Sequence, residues 1–402
     1  MSTTSKEGRQ PDRLLLFTTV LLCCAGLVMV SSASVALAYT QHQSAFYYAE
    51  RQAAWMLIGF VALFVLSRID YHRLRPLAPA GAVAAALLMI LVLVPHLGVT
   101  VNGARRWFDA GPLGTFQPSE LGKLAFAVFV AHWIDKNSAR IGEFQKVFVP
   151  FAAMLAGVLV LLMLQRDLGT SVVMVGIFVS VYWAGGGRLR HMVLLVGALA
   201  LGFVALTVLE PYRFARLAAY KNPFADPLGA GFQATQSLYG LASGGWFGVG
   251  ISHSIEKYGW LPEAHTDFIF AILGEETGLV GTTLVMLGFL FFGLRGYRAA
   301  LRAPDRFGVG LAASITTWIC FEALLNMATV TNTLPVTGVP LPFFSYGGTA
   351  VATELAAVGV LLSIARSGTG SSLGRTDEAI DRWRRDRRTP VSGSRGRTSV
   401  SR

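Results

Sequence analysis

Five stretches of this chain hold polar side chains whose types and spacing could do chemistry. In the first, Leu261-Pro262-Glu263-Ala264-His265-Thr266-Asp267 leads into the apolar Phe268-Ile269-Phe270 and on to Gly274-Glu275-Glu276. A carboxylate at such a boundary, Asp267 here, is partly desolvated and suited to take a proton as a general base. The competing reading is that Thr266 or Asp267 caps a helix. Spacing alone favours the cap, and the two roles are compatible. The second and third stretches are Asn102-Gly103-Ala104-Arg105-Arg106-Trp107 and Gln117-Pro118-Ser119-Glu120-Leu121-Gly122-Lys123. Arg105 or Arg106 could hold a phosphate with Trp107 at the interface, or the group could be ordinary interfacial anchoring. Pro118 with Glu120 resembles a helix start, and Glu120 and Lys123 can pair on one helical face.

Gln165-Arg166-Asp167-Leu168-Gly169-Thr170 is a tight connection whose charges read best as solvated turn residues. The last stretch, Leu334 to Gly348, holds Pro335, Pro340, Pro342 and Gly338, with Ser345 near its end. Its prolines forbid regular helix. At membrane depth such backbone is tolerated only inside protein or around a water-filled cavity, so it reads as a re-entrant turn lining a groove. The bland alternative is a rigid turn between spans.

The elements that must position these residues are membrane helices. The 402 residues are 53% hydrophobic and 14% charged, where soluble domains carry roughly 25% charged residues. Apolar runs near the ~20 residues that cross a bilayer recur at about 14–38, 51–67, 77–95, 118–134, 147–164, 168–186, 191–209, 267–294, 307–330 and 348–365. The expected fold is therefore an all-α polytopic membrane protein of about ten spans. The 14–30 run exceeds a signal-peptide core and reads as a retained first helix. Cys23, Cys24 and Cys320 lie in apolar runs without metal-ligand spacing and read as packing residues.

The net charge of +11 falls in short loops and a terminal tail rather than on one basic face, which excludes a nucleic-acid footprint. Most Lys and Arg lie on one side if both termini are cytoplasmic, as the positive-inside rule requires. Residues 1–13 then form a cytoplasmic segment and 14–365 the membrane domain. Residues 366–402 are expected to be a basic, disordered tail able to touch anionic lipid. The only long loop, about 210–266, lies outside, with 96–117 and 331–347 beside it, so the site faces outward. Trp246, Phe247, Tyr258 and Trp260 among glycines argue against simple disorder in that loop.

Taken together and in order, these five stretches resemble the successive motifs of the SEDS family (FtsW, RodA and SpoVE), over about residues 14–365. Glu263-Ala264-His265 is most similar to the division and sporulation members. Departures stand at Arg166, Glu322, Thr331-Asn332 and Thr349. The resemblance implies a peptidoglycan glycosyltransferase of the inner membrane, at the division septum. It would extend a growing glycan strand from lipid II beside a class B penicillin-binding protein and other division or elongation proteins. It implies Asp267 as catalytic carboxylate, with Arg105, Arg106, Trp107, Glu120, Lys123, Glu275 and Ser345 handling substrate. In the mechanism it suggests, Asp267 takes the acceptor hydroxyl proton, while Arg105, Lys123 and a divalent cation (Mg2+ or Mn2+) share the charge of the departing pyrophosphate. Alternatives are an elongation-type RodA-like polymerase, a lipid II flippase that forms no bond, and a non-catalytic scaffold.

Overall fold

A computed structural model describes residues 12–101, 103–209 and 220–386. Lys6, Arg9, Asn102, Arg213, Arg216 and the tail beyond Asp386 fall outside these residues. Each apolar run becomes a helix: α1 Arg13–His42, α2 Tyr47–Arg68, α3 Leu74–Leu91, α4 Pro118–Lys136, α5 Val149–Leu164, α6 Leu168–Ala184 and α7 Leu189–Leu209. A helix inside the outer loop, α8 Phe232–Gly244, precedes α9 Ile269–Arg302, α10 Arg306–Val330 and α11 Gly348–Asp386. Starts are written locally. Asp12 accepts from Leu15 N (3.1 Å), Asp305 from Gly308 N (3.1 Å), and Pro118 opens α4, each meeting or removing an orphan helical donor.

Among the described residues, seven helices are long and apolar enough to cross a membrane, and Leu168–Ala184 and Leu189–Gly202 are shorter apolar helices. The helix α4 is not among the seven, because Glu120, Lys123, Asp135 and Lys136 interrupt its apolar character. The outer segment expected as plain loop instead holds a small antiparallel sheet, β1 Val99–Val101, β2 Ala104–Asp109 and β3 Thr115–Phe116, in the order β1-β2-β3. The tail expected to be disordered from residue 366 continues as helix to Asp386.

Side-chain ties separate the two ends of the bundle. At the end assigned to the cytoplasm, Arg295 donates to Asp12 (2.6 Å), Tyr71 to Asp305 (2.6 Å), and Ser363 to Ile69 O (2.6 Å). At the other end Gln52 donates to Ser345 O (3.1 Å), Trp55 to Leu113 O (2.9 Å), and Tyr346 N to His265 O (2.9 Å). The outward stretches of the sequence therefore meet at one end. Between the ends, helices approach closely through small residues, as membrane packing favours. A Cβ at Gly59 of α2 would lie 2.7 Å from Leu355 Cδ1, and one at Gly359 of α11 2.6 Å from Leu63 O.

Two departures from regular helix shape the outer end. The first is a break in α9 at Gly278 (φ 67°, ψ −164°), a conformation only glycine adopts readily. Leu279 to Arg302 alone measures about 36 Å, enough to cross ~30 Å of hydrocarbon. Ile269–Thr277 is thus a separate short helix above the span, and the span sits lower than the sequence suggests. The second is the 334–348 turn, which is irregular and buried, with Val339, Leu341, Phe343 and Phe344 all at most 3% exposed. Its Phe343 ring lies 6.5 Å from that of Phe289 and 6.0 Å from that of Phe292, both on α9.

The turn rests directly on α1. A Cβ added at Gly26 would stand 2.1 Å from Phe343 O and 2.7 Å from Phe344 Cα. Overpacking of this kind costs about 1–3 kcal/mol. Gly26→Ala is expected to lower thermal stability by that amount, read from unfolding in detergent; an unchanged transition would mean that α1 and the turn are not in contact.

Candidate active site

The site is built around the place where the outer loop meets α9. Phe268 stands at the N-cap without a side-chain hydrogen bond. Thr266 Oγ1 instead donates to the Glu263 carboxylate (2.7 Å). The N-cap position thus falls to Phe268 rather than to Thr266 or Asp267. Asp267 is half-buried. Asn326 on α10, fully buried, donates one amide to both Asp267 O (2.7 Å) and Val339 O (2.8 Å). It thereby fastens the start of α9 to the Pro/Gly turn. Gly338 in that turn takes a positive φ (69°) that L side chains rarely adopt, and a Cβ there would stand in ordinary contact, 3.4 Å, with Asp267 Oδ2.

Ser345 makes the second fastening. Its hydroxyl donates to Thr266 O (2.6 Å) and accepts from Leu341 N (2.7 Å). These contacts occupy it structurally, so it positions the turn. The turn also touches the start of α6, where a Cβ at Gly169 would lie 2.8 Å from Val339 Cγ2. There Asp167, expected to be a solvated turn residue, is 3% exposed. It accepts from Thr170 N (3.1 Å), Thr170 Oγ1 (2.9 Å) and Gln117 (3.2 Å). Arg166 is exposed as expected. Thr337 Oγ1 and Asn326 Oδ1 are buried with no hydrogen-bond partner among the described residues, which leaves polar capacity in this neighbourhood.

The basic candidates divide. Arg106 donates to Gln165 O (3.1 Å) and Arg166 O (2.5 Å), faces Asp167 at 3.6 Å, and lies 5.6 Å from the Trp107 ring centre. It ties the hairpin to the α5–α6 turn. Arg105 folds back on the hairpin, donating to Thr100 Oγ1 (3.2 Å) and Leu93 O (3.3 Å). Two of its five donors are so used, and it stays partly exposed.

Lys123 does not serve as an outward cation. It is 1% exposed, 2.8 Å from Glu120 Oε2 and 2.5 Å from Glu322 Oε1. Trp318 donates to the other Glu322 oxygen (2.7 Å). Glu354 lies within electrostatic reach of this lysine and accepts from Phe343 N (2.9 Å). Removing one partner of so buried a set costs several kcal/mol, so Glu120 and Lys123 brace the helices under the turn.

Sequence reasoning missed Arg51, Asn326, Glu322 and Glu354 as parts of one device. Arg51 sits 4.2 Å over the Tyr47 ring and hydrogen-bonds Tyr346, the residue whose N–H reaches His265 O. Burial raises the Tyr346 phenol above its ordinary value, with Arg51 opposing. Burial lowers His265 below its ordinary 6.5, with Glu263 opposing, so the imidazole beside this group is neutral at pH 7. The available signal was polarity: Glu322, Asn326 and Glu354 are rare polar residues within apolar runs.

A family model of cell cycle proteins, FtsW/RodA/SpoVE, matches residues 12–370. The chain belongs to this family. Stage V sporulation protein E of Bacillus subtilis is 42% identical over 365 residues, 90% of this chain and 99% of that protein. The "Probable peptidoglycan glycosyltransferase FtsW" of Geobacter sulfurreducens is 40% identical over 89% of this chain and 96% of its own length. Among solved structures, a chain from a peptidoglycan synthase complex that coordinates polymerization and crosslinking superposes with a TM-score of 0.74 at 28% identity, covering 89% of this chain and 98% of that one. The rod shape determining protein RodA of Thermus thermophilus gives 0.65 at 27% identity, covering 89% and 97%. The FtsW/RodA/SpoVE frame thus spans α1 to the membrane part of α11.

Glu275, expected to handle substrate, is engaged by the outer loop. It accepts from Ile255 N (2.8 Å), Glu256 N (3.4 Å) and the Ser254 hydroxyl, and so clamps the outer loop. Glu256 faces it, and the Gln236 amide, turned so that its nitrogen faces the carboxylate, would donate to both Glu256 oxygens (3.3 and 3.2 Å). Burial first, and the Glu275 charge second, push Glu256 up from 4.5 to about 7. A raised carboxyl pKa stabilises the fold while the group keeps its proton. Stability should therefore fall as pH rises from about 4.5 to about 7 and then level off. Glu256→Gln is expected to remove that slope, seen as melting temperature against pH between 5 and 8; an equal slope in both proteins would show that Glu256 is not the titrating group.

Proposed function

We propose that Asp267 is the general base with which this chain polymerises lipid II at the outer membrane face. The chain is a multi-pass membrane protein and a peptidoglycan glycosyltransferase of the FtsW type. The observation that carries the assignment is the clamp of Asp267 between Asn326 and the Pro/Gly turn, at the same end of the bundle as the Arg-bearing hairpin. A base must be held within hydrogen-bond reach of the hydroxyl it activates, and here buried Asn326 fixes the Asp267 backbone while the carboxylate lies beside Gly338 of the turn.

In the reaction, Asp267 takes the proton from an acceptor sugar hydroxyl as that oxygen attacks the anomeric carbon of the donor. The bond from that carbon to the polyprenyl pyrophosphate breaks, and the pyrophosphate leaves with the electron pair. Its charge grows in the transition state, so a fixed cation lowers the barrier by stabilising that state more than the ground state. Arg51, at the outer end of α2 and joined to Tyr346, is the best-placed candidate, with Arg105 second.

Among the described residues no three His, Cys, Asp or Glu side chains converge to hold a metal. A Mg2+ needs only one or two carboxylates when phosphate oxygens complete its shell. It would bind through Asp267 and the pyrophosphate, supplying charge neutralisation. A flippase would need polar groups across the whole membrane. The buried ionic set of Lys123, Glu120, Glu322 and Glu354 instead lies within about 12 Å of the outer helix ends. Septal synthesis, with a class B penicillin-binding protein as crosslinking partner, is the setting supported by the FtsW relatives and by the Glu263-Ala264-His265 sequence.

Asp267→Asn is expected to cut glycan-strand synthesis from purified lipid II by at least ~100-fold, the usual scale of general-base catalysis. Strand synthesis near the native rate, seen on gels, would dismiss Asp267 as the base. Charge-assisted hydrogen bonds to phosphate amount to about 1.5–3 kcal/mol, so Arg51→Ala should weaken the reaction by roughly 10- to 100-fold. Arg51→Lys should recover only part of that, since lysine keeps charge but loses the fork. Unchanged initial rates in Arg51→Ala would leave the task to Arg105.

A further inference from the structure

Two independent rulers measure height in this bundle. Ser32 lies nineteen residues beyond Arg13 on α1, about 29 Å along the helix. On α9, Arg295 is paired with Asp12 at the inner end, and Gly278 lies seventeen residues back, about 26 Å away. The two marks meet. Ser32 donates to Glu276 (2.6 Å), and Lys257 donates to both Ser32 (3.1 Å) and Glu276 (3.0 Å). Since hydrocarbon is ~30 Å thick, the break in α9 stands at the outer edge of the acyl region.

The break exposes backbone groups that the helix no longer pairs, and one loop segment partners four of them. Leu279 N donates to Gly245 O (2.9 Å) and Val280 N to Trp246 O (3.1 Å). Val249 N donates to Glu275 O (2.9 Å) and Gly250 N to Glu276 O (3.1 Å). Residues 245–250 are therefore fixed at that same height. Their side chains point outward, Trp246 70% and Phe247 82% exposed, with Ile251 at 56%. This apolar surface continues the outward face of the span below, where Leu279 and Val280 are 51% and 43% exposed. No charged residue occurs from Gly244 to Ser252.

We propose that Trp246, Phe247 and Ile251 form an in-plane membrane anchor, seated in the outer leaflet where headgroups meet acyl chains. The occupant is lipid because the patch is continuous with the lipid-facing side of a span and lies level with its outer end. Tryptophan favours that boundary, apolar body inward and N–H toward water. The anchor leads into the stretch held by Glu275 and on to Asp267, so it sets the height of the outer loop against the bilayer surface. The anchor itself does not rest on the glycosyltransferase reading.

The test uses the full chain in liposomes. Cys23, Cys24 and Cys320, the free cysteines, are replaced by Ser or Ala, and Phe247→Cys is labelled with an environment-sensitive fluorophore. Trp246→Cys serves as a second variant. Quenching is compared among lipids spin-labelled near the glycerol, lipids spin-labelled deep in the acyl chain, and aqueous iodide. The shallow label is expected to quench at least about twofold more than either alternative, as interfacial seating requires. Strongest quenching by iodide would mean a water-exposed loop, and strongest quenching by the deep label a buried insertion. No quenching by any of them would mean that protein covers the patch. Each of these three results overturns the anchor.

Discussion

One buried amide holds the outer end of this protein together. Asn326 reaches across from the middle of the bundle and satisfies two backbone carbonyls, one at Asp267 and one at Val339. Neither carbonyl belongs to a regular helix, and neither could be left unpaired at this depth without a cost of several kcal/mol. A donor with two hydrogens on one nitrogen meets both needs at once. The start of α9 and the Pro/Gly turn therefore have one relative position, and the carboxylate between them inherits it.

The same constraint explains the outer loop. A helix broken at Gly278 abandons donors and acceptors on either side, and the glycine-rich 245–250 segment supplies their partners. Glycines allow this close approach: a Cβ at Gly248 would lie 2.1 Å from Glu276 O. Irregular backbone near the bilayer survives here because protein, rather than water, completes its hydrogen bonds.

Most of the architecture was legible in the residue order. Apolar run lengths gave eight helices to within a few residues, while α9 and α11 extend well past their expected ends and α8 was not foreseen; Lys and Arg placement separated the two ends. The sequence misled where an element's fate depends on a distant partner. The Asp167 carboxylate looked solvated because nothing local shows that Gln117 and the hairpin cover it. Lys123 looked like a surface cation because Glu322, nearly two hundred positions away, is its partner. Glu275 and Ser345 were expected to handle substrate, and their hydrogen bonds hold the outer loop and the Pro/Gly turn. The break at Gly278 was hidden because a single glycine in an apolar run is compatible with unbroken helix. The helical stretch to Asp386 was masked by the serines and glycines before it.

The tether from Glu354 to Phe343 N bears on how the working region is to be mapped. It joins the floor of the turn to a charge set inside the bundle, so the geometry of the outer surface is set from below it. Residues several ångströms below that surface govern its shape without lying on it. An inventory of sensitive positions will therefore outline a column running down through the protein, much taller than the surface where bonds are made.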